Sequence, residues 1–228
     1  MTELATYQLE DGVATITLDD GKANVMSEDM IGSIAAALDR AEADRAVVLL
    51  TGRPRVFSAG YDLATFSRSA DDIRRTLRAG GNLVHRLLGF PYPVVAACPG
   101  HAIAQGAFTL LATDVRFGVV GDFKVGLNEV AIGLTIPHYG VELARHRLTA
   151  PGFDRAANTG ILVGPEEARE LGFLDVLAAD ADDLRTRATA EAHRLTGIDF
   201  AAHTGTKLRV RAQVLAAVRS GIDAEFDG

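Results

Sequence analysis

Residues 46–63, AVVLLTGRPRVFSAGYDL, constrain this chain more than any other stretch. The apolar run Ala46 to Leu50 predicts a strand, and the Gly/Pro segment after it predicts a loop. Phe57-Ser58-Ala59-Gly60-Tyr61-Asp62-Leu63 then turns towards a helix. A small residue beside a glycine lets the backbone turn tightly, with successive N–H groups directed outward. The plan returns about forty residues later, where an apolar run from Pro93 to Cys98 enters Pro99-Gly100-His101-Ala102-Ile103-Ala104-Gln105-Gly106 and a second helical stretch. Outward N–H groups bind negative charge developing on a carbonyl oxygen. Two such elbows can place one N–H each on the same oxygen. A lone carboxylate, Glu129, follows in Gly126-Leu127-Asn128-Glu129-Val130-Ala131-Ile132-Gly133. Two donors and one base are the parts of a site that forms an enolate.

The surrounding pattern predicts an α/β architecture. Thr6–Leu9 and Val13–Leu18 read as strands joined at Asp11-Gly12, a strong hairpin signal. Ser27 is placed to cap a helix whose Ile31, Ile34, Ala35 and Leu38 recur at helical spacing up to about Ala43. A charged helix is expected over Asp71–Leu88, a strand at Val94–Ala97, a buried helix at Ala104–Ala112 and a strand at Val115–Val119. Strand alternating with helix implies stacked, mostly parallel sheet with covering helices. From Pro137 the pattern turns almost wholly helical: His138–Arg147, Gly152–Thr159, Pro165–Leu171, Ala181–Leu195 and a final segment Thr204–Arg219, with one short strand at Asp175–Leu177. Residues 1–136 are therefore expected to form the core and 137–228 a helical region of the same domain.

Composition excludes several classes. The 228 residues are 48% hydrophobic, enough for one sizeable core, and the net charge of −7 argues against nucleic acid or an anionic membrane as partner. One cysteine, Cys98, leaves no intramolecular disulfide and fits a reducing compartment. No apolar run reaches the ~18–20 residues of a membrane span, and the N-terminus lacks a signal pattern, so a soluble, cytoplasmic protein is expected. There is no G-x-S-x-G elbow, no phosphate loop and no H-E-x-x-H pair, and the six histidines lack metal-site spacing. Neither a metal nor a separate cofactor is expected.

At these residues the chain resembles the crotonase superfamily of enoyl-CoA hydratases and isomerases. Phe57–Leu63 resembles the first oxyanion loop, Gly100–Gly106 followed by Asp114 the second, and Leu127-Asn128-Glu129 with Ile132-Gly133 and Pro137 the segment that carries a catalytic glutamate. The resemblance runs from the N-terminal strands to about Val176. It implies a ββα superhelix, an acyl-CoA substrate whose coenzyme A is no separate cofactor, and a homotrimer or dimer of trimers. It also implies backbone donors at Tyr61 and Gln105, a base at Glu129, and substrate or coenzyme A contacts at Ala59, Gly60, Gly106, Phe108 and Lys22. Arg55 is a further candidate for the phosphates, and His138 a secondary catalytic candidate.

An ordinary strand–helix turn is the plain alternative for either loop alone, and a salt-bridged structural carboxylate is the plain alternative for Glu129. Both weaken when the three segments occur in order. Asp62 and Asp114 read as helix-end caps, and Cys98 as buried and inert. The resemblance breaks at one position. Hydratases of this family use two glutamates, the first lying two residues after the second loop's last glycine, where this chain has Phe108. A phenyl ring cannot hold or polarise water. Double-bond isomerisation needs only one base that takes a proton from C2 and returns it at C4, and the Leu-Asn-Glu wording resembles the Δ3,Δ2-enoyl-CoA isomerases. An isomerase is therefore expected. The alternatives are a hydratase in which another group replaces the missing carboxylate, and a non-catalytic acyl-CoA-binding protein.

Overall fold

The computed structural model describes residues 4–226. Its first two strands, β1 (Ala5–Glu10) and β2 (Val13–Leu18), form the expected hairpin, with Ala5 opposite Leu18 and Glu10 opposite Val13. Asp11 and Gly12 both take positive φ, 47° and 78°, as a two-residue type I′ turn requires. Helix α1 (Glu28–Ala43) starts at Ser27, whose hydroxyl accepts the Met30 N–H, and buries Met30, Ile31, Ile34, Ala37, Leu38 and Ala41. Each buried Ile or Leu contributes about 1.5–3 kcal/mol.

The chain then repeats one path. β3 (Val47–Gly52), β4 (Arg55–Ser58) and α2 (Ala70–Leu88) make the first turn, and β5 (Val94–Cys98), β6 (Gly100–Ile103) and α3 (Gln105–Leu111) the second. β7 (Val115–Val119), β8 (Val125–Gly126) and α4 (His138–Arg147) make the third. The remainder comprises α5 (Ala150–Thr159), β9 (Leu162–Val163), α6 (Pro165–Leu171), β10 (Val176–Ala178), α7 (Ala181–Thr196), α8 (Phe200–Val210) and α9 (Ala212–Phe226). The first strand of each turn joins a six-stranded sheet, β1-β2-β3-β5-β7-β10, and the second joins a four-stranded sheet, β4-β6-β8-β9. Among the described residues only β1 runs antiparallel in the large sheet and only β9 in the small one.

The small sheet positions the site. Its strands β4, β6 and β8 are adjacent and parallel, so their carboxyl ends share one edge. Residues 59–61, 104–106 and 127–129 leave those three ends in turn. The sequence pattern predicts none of these three strands, because they are only four, four and two residues long. Ligands bind beyond the carboxyl ends of parallel strands for the same reason in open α/β sheets.

The C-terminal region differs from expectation in two ways. The segment read as Thr204–Arg219 breaks at Arg211 into α8 and α9. Its apolar face is covered largely within the chain: Val214, Val218, Ile222 and Phe226 are buried, and α9 packs on α2 and α4, while Leu208 stays exposed. Two basic residues fasten this layer. Lys207 Nζ donates to the carbonyls of Phe90 and Tyr92 and to Asp114 Oδ2, at 2.9, 3.1 and 2.7 Å. Arg211 donates to the Leu88 carbonyl and pairs with Asp114 Oδ1, both at 2.9 Å. Asp114 also accepts the Val94 N–H at 2.7 Å. Removing one partner from a buried ion cluster of this kind costs about 3–5 kcal/mol.

Candidate active site

The first elbow is held by residues 23–26. Ala59 N–H donates to the Ala23 carbonyl at 3.0 Å, and Met26 N–H to the Gly60 carbonyl at 2.8 Å. Ser58 Oγ accepts the Gly60 N–H at 3.1 Å and donates to the Asn24 carbonyl at 2.7 Å. Among the described residues the Tyr61 N–H has no protein acceptor. Gly60 takes φ +89°, and a Cβ there would lie 2.8 Å from the Ile103 carbonyl and 3.5 Å from the Gln105 nitrogen. Glycine thus lets the two elbows touch at the residue preceding one donor and at the nitrogen of the other.

The second elbow turns at Ala104, whose φ of 51° and ψ of −122° lie in a region that disfavours side chains. Strain of this type is worth about 1–3 kcal/mol and persists only where the surroundings impose it. Its effect is to start α3 at Gln105, where the first N–H of a helix has no intrahelical acceptor. That N–H is likewise without a protein acceptor among the described residues.

A cavity of about 310 Å³ lies at this edge, with Ala59, Tyr61, Ala104, Asn128 and Glu129 in its lining together with the apolar Leu63, Phe66, Ile73 and Leu77. Glu129 is 7% exposed, and its Oε2 is buried without a hydrogen-bond partner among the described residues. Burial raises its carboxyl pKa from 4.5 to about 7. Asn128 Oδ1 is also buried and unpartnered. Gly60 and Gln105 are outside the lining, next in sequence to its Ala59, Tyr61 and Ala104. A carboxylate that ionises near neutrality and an apolar wall, with two unpaired backbone N–H groups beside them, suit proton transfer next to a carbonyl whose oxygen gathers charge.

The profile of the family described as enoyl-CoA hydratase/isomerase matches residues 8–226. The chain belongs to that family. It is similar to a crystal structure of an enoyl-CoA hydratase/isomerase family protein from Pseudomonas syringae, at 44% identity and a TM-score of 0.96, over 99% of this chain and 98% of that one. A putative enoyl-CoA hydratase of Thermus thermophilus is 37% identical over 225 residues, 92% of this chain and 83% of the relative. Human mitochondrial Δ3,Δ2-enoyl-CoA isomerase is similar at 25% identity and a TM-score of 0.93, over 98% of this chain and 89% of that one. The fold is accordingly that of the crotonase superfamily, a mixed α/β core of parallel sheets with a helical C-terminal region.

Within this enoyl-CoA hydratase/isomerase scaffold, some expected contacts lie elsewhere. Phe108 does not line the cavity; it is 1% exposed, packed edge-on against Tyr139 with ring centroids 5.9 Å apart. It points into the core because α3 is buried along its whole length. Gly106 faces away as well, packed against the Ser58 carbonyl. Lys22 is an exposed loop residue outside the lining, and Arg55 lies over the Phe123 ring at 5.0 Å, beside a different groove. The exposed His138 likewise stands outside the lining; its backbone N–H donates to Glu225 Oε2 at 2.9 Å. Asp62 caps the short helix Leu63–Ser67, and burial pushes the Cys98 thiol up to about 12.

Three polar residues near the cavity carry no local sequence signal that singles them out. Asn128 was visible only as part of a motif. Glu225 reaches the lining from α9, nearly a hundred residues beyond Glu129, with no local signal. Tyr139 lies behind the lining, where its hydroxyl meets those of Tyr61 and the Gln105 amide at 2.8 Å each.

Proposed function

We propose that this acyl-CoA enzyme of the enoyl-CoA hydratase/isomerase family is a Δ3,Δ2-enoyl-CoA isomerase with Glu129 as its single base. The observation that carries the reading is that Glu129 is the buried carboxylate of the cavity, with Oε2 unpartnered and a pKa near 7. The thioester carbonyl of a 3-enoyl-CoA accepts hydrogen bonds from the Tyr61 and Gln105 N–H groups. Ionised Glu129 takes a proton from C2, the electron pair moves onto the thioester oxygen as a dienolate, and the two donors hold that charge. Glu129, now a neutral acid favoured by its dry surroundings, delivers the proton to C4 and leaves the conjugated 2-enoyl thioester. A positioned base supplies ~10²–10⁴-fold, and each oxyanion donor ~10²–10³-fold.

The identity of Phe108 supports this reading, since no carboxylate occupies the motif position at which the family's hydratases carry their first glutamate. One observation favours a second reading: Glu225 contributes another carboxylate to the lining. It is exposed and engaged by the His138 N–H, but in a hydratase it would be the group that helps Glu129 hold a water. Incubation with 3-hexenoyl-CoA and, separately, with crotonyl-CoA distinguishes the two. Conjugation of the first at a rate well above hydration of the second is expected. Hydration of crotonyl-CoA without conjugation of 3-hexenoyl-CoA would replace the isomerase by the hydratase, and no reaction of either would leave an acyl-CoA-binding protein.

A further inference from the structure

The two residues that the proposed function assigns as backbone donors are also joined through their side chains. The Tyr61 hydroxyl lies 2.8 Å from the Tyr139 hydroxyl, which lies 2.8 Å from Gln105 Oε1, and Gln105 Nε2 lies 3.1 Å from the Gly80 carbonyl. The direction of every bond in this chain follows from its far end. A carbonyl only accepts, so Gln105 turns its NH₂ to Gly80 and its oxygen to Tyr139. Tyr139 must then donate to Gln105, which spends its one proton, and Tyr61 must donate to Tyr139. The alternative acceptor for Tyr61, the Leu77 carbonyl, is 3.4 Å away.

Tyr139 and Gln105 are both fully buried. Phe108 and Phe226 pack against the Tyr139 ring, with centroids 5.9 and 6.4 Å away. Burial pushes both phenols well above their ordinary pKa, and the Glu129 carboxylate pushes them the same way, so they stay protonated. The chain of bonds is therefore a fixed strut between the elbows, with no proton to lose.

We propose that Tyr139 is a positioning residue for the oxyanion hole, setting the separation of the Tyr61 and Gln105 N–H donors. This rests on the enolate-forming reading above. Gln105 carries a backbone donor and the side-chain anchor on one residue, directly after the strained turn at Ala104. A strained turn persists only when its surroundings hold it, and Tyr139 and Gly80 hold both ends of the Gln105 amide. Without the Tyr139 hydroxyl, Gln105 Oε1 is left buried without this donor, and Tyr61 loses its link to the second elbow. A displacement of about 1 Å in a site of this kind costs roughly 10²-fold in rate. Phe108 acquires a purpose in this arrangement: the ring that stands in place of a carboxylate packs the ring that braces the donors.

The test uses octanoyl-CoA labelled with carbon-13 at the thioester carbonyl, bound to the whole enzyme and read by infrared difference spectroscopy. In wild type the carbonyl band is expected to move to lower frequency on binding. Tyr139→Phe is expected to lose most of that shift, to lower kcat about 10–100-fold and to leave KM within about threefold. Leu184→Ala, in α7 on the far face of the large sheet, is expected to lower the melting temperature and leave the band unmoved. A full shift with wild-type kcat in Tyr139→Phe would overturn the proposal. No shift in wild type would instead overturn the oxyanion-hole reading on which it rests. Should Tyr139→Phe fail to fold, Gln105→Met decides, because it keeps the backbone N–H and removes only the amide. Loss of the shift supports the strut, and a wild-type band refutes it.

Discussion

Replacing Glu129 by glutamine separates the energetics of a buried base from its chemistry. Burial raises the folded-state pKa of Glu129 to about 7 from a model-compound value of 4.5. Folding therefore favours the neutral acid. The stability this group permits is fully present below pH 4.5 and is lost as the pH rises through 7, when the carboxyl must ionise in a dry site. At about 1.4 kcal/mol per pKa unit, the separation is worth about 3 kcal/mol once the pH exceeds 8. Less than about 1 kcal/mol of this is felt at pH 5. Glutamine has a similar shape and no charge to lose. Any penalty for its unpartnered amide applies equally at both pH values and cancels from the comparison. Urea unfolding of wild type and Glu129→Gln at pH 5 and pH 8 measures the effect. Between those two values the stability difference should move by roughly 2.5 kcal/mol in favour of the variant. A difference that is the same at both would show that Glu129 is solvated in the folded protein, and the case for it as a base poised near neutrality would fall.

Three further outcomes follow from the same geometry. Phe108→Glu should lose ~3–5 kcal/mol of stability as a packed ring is replaced by a buried, unpaired carboxylate, with no gain in crotonyl-CoA hydration; a hydratase gain at undiminished melting temperature would contradict its place in the core. Ala104→Gly should raise stability by about 1 kcal/mol in denaturant unfolding, since glycine adopts this turn without strain; a loss of that size would show the turn to be unstrained. The pH profile of kcat/KM should rise tenfold per pH unit up to about 7 and then level off, because the free enzyme is competent only with Glu129 ionised; a rate that falls from pH 5 to 7 would require an acid in its place.

The parts legible in the sequence are those set by local chemistry. The Asp11-Gly12 turn, the Ser27 cap and the apolar runs of β3 and β5 follow from neighbours within a few residues. The order of the two elbows and Glu129 was legible as a motif, although the small sheet that aligns them was not. Strands of two to four residues carry too little periodicity to be told from loops, and their pairing with one another exists only in the tertiary fold. Phe108 was misplaced because its position in the motif suggested the cavity, whereas a helix buried on all sides directs half its residues away from any one neighbour. The pairing of Lys207 and Arg211 with Asp114 left no local trace, since nothing near them in the chain announces Asp114. Tyr139 and Glu225 were missed for the same reason: each meets its partners across 34 and 87 residues of chain.

Deuterium placed at both C2 positions of 3-hexenoyl-CoA tests the single-base mechanism most directly. Glu129 sits in a cavity it shares with apolar side chains, where the abstracted deuteron is shielded from exchange. The 2-enoyl product isolated from ordinary water should therefore carry part of the label at C4, and Glu129→Gln should form no product above background. Product without label at C4, together with turnover by Glu129→Gln within a few-fold of wild type, would contradict transfer by one carboxylate.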